Sequence, residues 1–105
     1  MGLVGGPVKI IDESGEQIGV GEEPLPGLGM MQVSRMLLLL PAGVSSEAFL
    51  DGEVRFSMVC EDGTEHLGCV VSNYQRSFKQ VRTERGNPTM TVVVMGVQVQ
   101  AAVPG

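Results

Sequence analysis

Aromatic residues are scarce in this sequence, which has no Trp, one Tyr and three Phe among 105 residues. A hydrophobic core must therefore be built from aliphatic side chains and from the seven Met. Charged residues are also few, at 18% of the chain, while 43% of the residues are apolar, so disorder driven by charge is excluded. A chain of this length forms one domain, and we expect that single β domain to span residues 1–105.

Histidine and cysteine are too few to support most catalytic sites, since the chain has one His and two Cys. Any Ser/His/Asp or Cys/His arrangement must use His66. The paired carboxylates of the sequence lie beside turns or in a loop, whereas acid–base chemistry needs a carboxylate in an apolar pocket. The Gly-rich segments match neither the dinucleotide-binding nor the phosphate-binding loop. The sequence therefore predicts that the protein is not an enzyme and has no catalytic residues and no cofactor.

The strongest local signal is the pair Asp62-Gly63, which predicts a two-residue hairpin turn. Pairing outward from this turn predicts one apolar face, which contains Val54, Phe56, Met58, Cys60, Leu67, Cys69 and Val71. His66 is predicted to lie on the opposite face. Cys60 and Cys69 then share a face about 13 Å apart, too far for a disulfide or a common zinc. We therefore expect two free thiols, a surface histidine and no metal site.

Acidic residues outnumber basic ones by twelve to seven, which gives a formal net charge of −5. This balance disfavours nucleic acid as a partner, because phosphate binding needs a concentrated basic surface. Four of the seven basic residues nevertheless fall within ten positions: Arg76, Lys79, Arg82 and Arg85. They form either an ordinary solvated surface or a docking patch for an acidic neighbour, such as another copy of this chain.

Runs of β-prone residues separated by turn residues extend along most of the chain. Residues 8–12 and 17–20 predict a first hairpin, and residues 30–40 predict a strand that is buried on both faces in its second half. An N-cap serine at position 45 favours one or two helical turns. Together these runs predict an all-β fold, a small β-sandwich or partly open barrel of about six to seven mostly antiparallel strands with at most one short helix near 45–50.

Residues 74–85 fit two local structures. Tyr74, Phe78 and Val81 recur at helical spacing, while the same stretch also alternates passably as a strand. We predict a strand or irregular ribbon that leads into the next strand.

The Gly- and Pro-rich parts of the chain predict extended segments rather than strands. They are the N-terminal segment 1–7 and an extended loop at 22–29, where Pro24 and Pro26 cannot donate to a strand ladder. Leu25 and Leu28 make this loop a candidate contact arm.

Residues 89–103 predict an unusually long C-terminal strand, which would span about 50 Å at roughly 3.3 Å per residue. A domain of this size has a radius of gyration of only about 13 Å. The strand must therefore either bend at Gly96 or extend onto another subunit, with Val97 and Val99 as contact residues.

The predicted apolar strands exceed what one small domain can enclose. We therefore predict a non-catalytic structural subunit that forms a homo-oligomer or joins a larger protein assembly. The predicted setting is a tailed-phage-like virion, with this chain as a capsid decoration, neck or tail component. The alternative is a soluble β-barrel binding module that takes a small ligand, an acidic peptide or single-stranded nucleic acid at residues 76–85.

The sequence shows no secretory or membrane-spanning signal. Its first residues lack a basic region followed by a long apolar stretch, and residues 36–40 are too short to span a bilayer. We therefore expect synthesis in the cytoplasm, assembly into a virion and no membrane partner.

Overall fold

Antiparallel strands make up most of the computed structural model, which describes residues 8–26, 30–40 and 45–101. The elements in chain order are β1 (Val8–Asp12), β2 (Gln17–Gly21), β3 (Leu25–Pro26), β4 (Met31–Leu40), α1 (Ser46–Leu50), β5 (Phe56–Cys60), β6 (Glu65–Asn73), β7 (Arg76–Glu84) and β8 (Asn87–Gln100). The predicted all-β class with one short helix near 45–50 is confirmed. The predicted segment 1–7 lies outside the described residues, and so do residues 27–29 of the predicted loop, whose residues Leu25–Pro26 form β3.

The sheet closes into a barrel of six strands in the order β4, β2, β1, β5, β6 and β8. Closure comes from the pairing of β4 with β8, which extends from Met31 opposite Val99 to Leu40 opposite Met90. Of the two predicted architectures, the barrel is therefore the one observed, and it is closed. Two strands lie outside the six-strand barrel. β3 pairs with the start of β4, and β7 pairs with β8.

The barrel interior is filled by aliphatic side chains, as the scarcity of aromatic residues requires. Ile10, Leu38, Met58 and Val94 are among the fully buried residues of this core. Gly19 makes room for them, because a Cβ at this position would lie 2.5 Å from the carbonyl oxygen of Leu37 and 2.8 Å from Cδ2 of Leu38. The absence of a side chain on β2 thus allows the large side chains of β4 to fill the barrel.

The short helix α1 packs Phe49 and Leu50 into the core near the start of β5. Its first turn is capped by Ser45, whose Oγ accepts a hydrogen bond from the Ala48 amide at 3.3 Å. The rings of Phe49 and Phe56 stack with their centroids 5.0 Å apart, so two of the three Phe of the chain pack together. Within the residues described, no helix is long and apolar enough to cross a membrane.

The β5–β6 hairpin differs from its predicted register. Gly63 adopts φ 90°, its amide donates to the Cys60 carbonyl at 3.0 Å, and the Cys60 amide donates to the Thr64 carbonyl at 2.8 Å. The turn therefore has three loop residues rather than two, and Cys60 pairs with Thr64 instead of Glu65. Gly68, at φ 64°, lies where the register shifts, and Phe56 pairs with Cys69 as predicted.

This local shift reverses the predicted faces of two residues. His66 pairs with the fully buried Met58, so it lies on the barrel's inner side rather than on the surface face. Leu67 was predicted to be on the apolar face and is instead 61% exposed.

The strand predicted at 89–103 is observed as β8, which ends at Gln100, while residues 102–103 lie outside the described residues. β8 bends at Gly96, which has φ 62°. The Met95 carbonyl at this bend accepts a hydrogen bond from the Gln75 amide at 3.0 Å. Val94 before the bend and Val97 after it both face the core. A bend that changes the alternation of side chains thus keeps a long strand within one small barrel.

Candidate interaction surface

The strand β7 lies at the end of the sheet and presents an open edge. One side pairs with β8 over its whole length, from Arg76 opposite Met95 to Glu84 opposite Asn87. The other side pairs with no strand in the part of the chain that the structure describes. We call this nine-residue side, residues 76–84, the β7 edge.

The hairpin turn determines which backbone groups point outward from the β7 edge. Arg85 and Gly86 form a two-residue turn with φ 51° and 80°, as a type I′ turn requires. Glu84 and Asn87 are therefore a hydrogen-bonded pair, and hydrogen bonding to β8 continues at every second residue. The amide and carbonyl groups that point away from β8 are those of Ser77, Lys79, Val81 and Thr83.

Two large apolar side chains of β7 are exposed. Phe78 is 56% exposed and Val81 is 61% exposed. Phe78 lies opposite Val93, which in turn lies opposite Leu37 of β4, and both of these neighbours are half-buried. Because residues directly opposite each other share a face, these three residues form an apolar row across the outer surface of three strands.

The four predicted basic residues lie on one hairpin but do not form one patch. Arg76 shares the outer face with Met95, whereas Lys79 lies opposite the buried Val92 and so points to the other side of the strand. Arg82 occupies β7 opposite Thr89, and Arg85 lies in the turn.

Lys79 makes one ion pair, in which its Nζ lies 3.4 Å from Glu47 Oε1 of α1.

Charge is nevertheless divided unevenly along the chain. Residues 76–85 contain four basic residues and one acidic residue, a net charge of +3, within a chain of net charge −5. The remaining residues therefore carry a net charge of −8. The hairpin of β7 and β8 is the basic part of an acidic protein, which favours contact with acidic surfaces.

The other predicted contact residues divide into three groups. Leu25 is exposed, at 58%, and pairs with Gln32 as part of β3. Leu28 lies outside the described residues. Val97 and Val99 are fully buried in the core, so the prediction that they contact another subunit is corrected. The bend at Gly96 turns these two side chains into the barrel.

A cavity of about 320 Å³ lies at the barrel end where β1 begins and β5 ends. Its lining includes Cys60, His66 and the three acidic residues Glu23, Glu61 and Asp62. Because β8 runs antiparallel to β6, the turn between β7 and β8 lies at the opposite end of the barrel. The sequence prediction missed the position of His66 in this cavity because it assumed a two-residue turn, although Gly68 inside a strand is a signal of a bulge.

The environment of the two thiols opposes nucleophilic chemistry. Burial, together with the negative charges of Asp62 and Glu23, raises the pKa of Cys60. Burial raises the pKa of Cys69 to about 11, and its Sγ donates to the His66 carbonyl at 3.3 Å. Hydrogen bonds from Thr64 lower the pKa of Asp62. Both thiols are therefore protonated near neutral pH, whereas a nucleophilic cysteine needs a lowered pKa.

Metal coordination has no geometric support within the residues described, since no three His, Cys, Asp or Glu side chains there are grouped to hold an ion.

Comparisons with protein-family models, curated proteins and solved structures find no match for this chain.

Proposed function

We propose that this protein is a non-catalytic assembly subunit that self-associates by adding a strand at the β7 edge. The observation that supports this is the β7 edge, a nine-residue side to which no strand pairs among the residues described. The same strand carries two apolar side chains that are more than half exposed. An open edge with apolar side chains is a template for pairing with another chain. Strand addition satisfies its outward backbone groups and places new side chains beside Phe78 on one face of the strand and beside Val81 on the other.

The energies favour a contact of modest strength at the β7 edge. Full burial of a Val or Phe side chain contributes about 1.5–3 kcal/mol, and each backbone hydrogen bond contributes about 0.5–1.5 kcal/mol net. Association also costs translational and rotational freedom, so only part of this gain appears as affinity.

The charge of the chain is compatible with copies of itself as partners. Residues 76–84 include both Arg76 and Glu84, so two copies of this strand can pair opposite charges at its ends. The apolar surface available for such contacts is smaller than the sequence predicts, because barrel closure buries Val97 and Val99. Association by the β7 edge therefore needs one limited surface rather than whole sheet faces.

The virion setting belongs to the proposal as a prediction from chain size and β content. In that setting the subunit is a capsid decoration, neck or tail component, made in the cytoplasm and assembled into the particle.

The alternative is a barrel that binds an acidic peptide or another anionic ligand at residues 76–85. These residues form a strand and a turn, while the cavity described above lies at the other end of the barrel and is lined by carboxylates. Carboxylates repel anions, so an anionic ligand would have to bind the β7 edge itself. Such a ligand competes with a second copy for the same backbone groups.

Light scattering during size-exclusion chromatography tests the proposal over a series of protein concentrations. The informative variant is Val81→Pro, which removes an outward amide and leaves the hydrogen bonds to β8 in place. Leu67→Lys is the matched control, because Leu67 is equally exposed but lies on β6. We expect oligomers for wild type and Leu67→Lys, and a mass of 11.1 kDa for Val81→Pro with an unchanged circular dichroism spectrum. A wild-type chain that stays monomeric at high concentration would contradict self-association.

A further inference from the structure

We infer that the occupant of the β7 edge is the β7 edge of a second copy, paired antiparallel about a two-fold axis that passes beside Gln80. This inference rests on the proposed self-association and specifies its geometry. The two barrels then share one continuous sheet in which β8 and β7 of one copy are followed by β7 and β8 of the other.

The outward backbone groups limit the possible registers. They belong to the odd-numbered residues Ser77, Lys79, Val81 and Thr83, so odd residues must pair with odd residues across the interface. A symmetric pairing is therefore centred on one residue that faces itself, and the registers centred on residues 79, 80 and 81 pair the most residues of β7.

The register centred on Gln80 is self-complementary. It pairs all nine residues of β7, with Arg76 of one copy opposite Glu84 of the other at both ends. Next to these, Phe78 stands opposite Arg82, an aromatic and a cationic residue type that attract each other. Opposite charges at directly paired positions favour this register.

The two neighbouring registers are less favourable. Centring on Lys79 places this lysine opposite itself and Arg76 opposite Arg82, so like charges face each other three times. Centring on Val81 pairs only residues 78–84 and places Phe78 opposite Glu84, with no opposite charges paired. Like charges directly opposite each other are destabilising, so charge selects the register centred on Gln80.

Backbone bonding in this register uses every outward group of the β7 edge. Ser77 exchanges hydrogen bonds with Thr83 of the second copy, and Lys79 exchanges them with Val81, each pair occurring twice by symmetry. Phe78 and Val81 lose solvent exposure at the same time, because both belong to the paired strand.

Cysteine cross-linking measures the register directly. Gln80→Cys places two thiols at a position without hydrogen bonds, where paired Cα atoms lie about 4.5 Å apart, within the range for a disulfide. The variant is made in a Cys60→Ser background, because Cys60 is the less buried of the two native thiols. A mild oxidant, copper phenanthroline, is expected to convert Gln80→Cys from single chains to disulfide-linked pairs. Glu13→Cys, at the exposed turn between β1 and β2, is the control for random collisions.

A second pair of variants keeps the charges of β7 unchanged. Ser77→Cys and Thr83→Cys face each other in the register centred on Gln80, so we expect cross-linking when the two proteins are mixed and none when either is alone. Cross-linking of Ser77→Cys by itself would overturn the inference.

The same samples distinguish this inference from the proposed function. If wild-type protein is oligomeric and Gln80→Cys cross-links no faster than Glu13→Cys, the two-fold register is wrong while self-association stands. If wild-type protein is monomeric at every concentration, both fail. Oligomers together with rapid linking of Gln80→Cys support both.

Discussion

Lys79 Nζ lies 3.4 Å from Glu47 Oε1, and this ion pair connects β7 to the helix α1. The helix contributes Phe49 and Leu50 to the core. Both side chains of the ion pair are well exposed, so water and salt weaken their attraction. We expect Glu47→Gln to lower the free energy of unfolding by no more than about 0.5 kcal/mol. Urea denaturation checks this, and a loss comparable to that of a core substitution would show that the ion pair, rather than the β8 ladder, holds β7.

Two glycines of β2 give opposite expectations for the same substitution. In Gly19→Ala the new Cβ would lie 2.5 Å from the Leu37 carbonyl oxygen, and a backbone atom of a barrel strand cannot move aside cheaply. We expect a loss of about 1–3 kcal/mol in the free energy of unfolding. In Gly21→Ala the nearest atom lies 3.5 Å away, an ordinary contact, so this control should stay within about 0.5 kcal/mol of wild type or gain slightly. Equal effects in chemical denaturation would contradict the packing described for β2.

Charge reversal at the ends of β7 should disrupt and then restore association. Arg76→Glu places two acidic residues opposite each other in the register centred on Gln80, so we expect weaker self-association, by roughly 0.2–1 kcal/mol for each affected pair. Adding Glu84→Arg to the same chain restores opposite charges and should restore association.

Sedimentation equilibrium at several salt concentrations measures both variants. A double variant that associates as weakly as Arg76→Glu alone would show that these two positions do not face each other.

Alkaline pH should destabilise the protein through Cys69. Burial raises its pKa from 9.0 to about 11, so between these values the unfolded chain has released the thiol proton while the folded chain retains it. The unfolded state then binds fewer protons, and the free energy of unfolding falls as pH rises through this window. Denaturation from pH 8 to pH 11 should show a steeper loss for wild type than for Cys69→Ala, which is less stable throughout but lacks this group. Parallel curves would contradict the role of Cys69.

The two early hairpins show how far local sequence signals decide the fold. The first, at 8–12 and 17–20, was predicted with nearly its observed bounds, because both strands are short and Gly15 marks the turn. In the second, Asp62-Gly63 was correctly identified as a turn, yet the number of loop residues depends on the conformation of Gly63. A bulge at Gly68 then compensates, which a strict alternation of faces does not anticipate.

The candidate surface was only partly predictable for a different reason. The basic stretch at 76–85 could be identified locally, whereas residues 74–85 fitted both helical spacing and a strand, and the strand is observed at Arg76–Glu84. The position of β7 at the end of the sheet follows from the pairing of β4 with β8. That pairing joins residues far apart in the chain, so no local pattern reports it. Val97 and Val99 were misassigned for the same reason, because closure of the barrel encloses them.

Residue-specific amide hydrogen exchange tests the claim that the β7 edge is the contact between subunits. In the Val81→Pro monomer, the outward amides of Ser77, Lys79 and Thr83 should exchange rapidly, while those that bond to β8 exchange slowly. In wild type at concentrations where oligomers form, we expect these outward amides to become protected as well, which removes the alternation along β7. Oligomers in which the outward amides still exchange at the monomer rate would contradict the proposal.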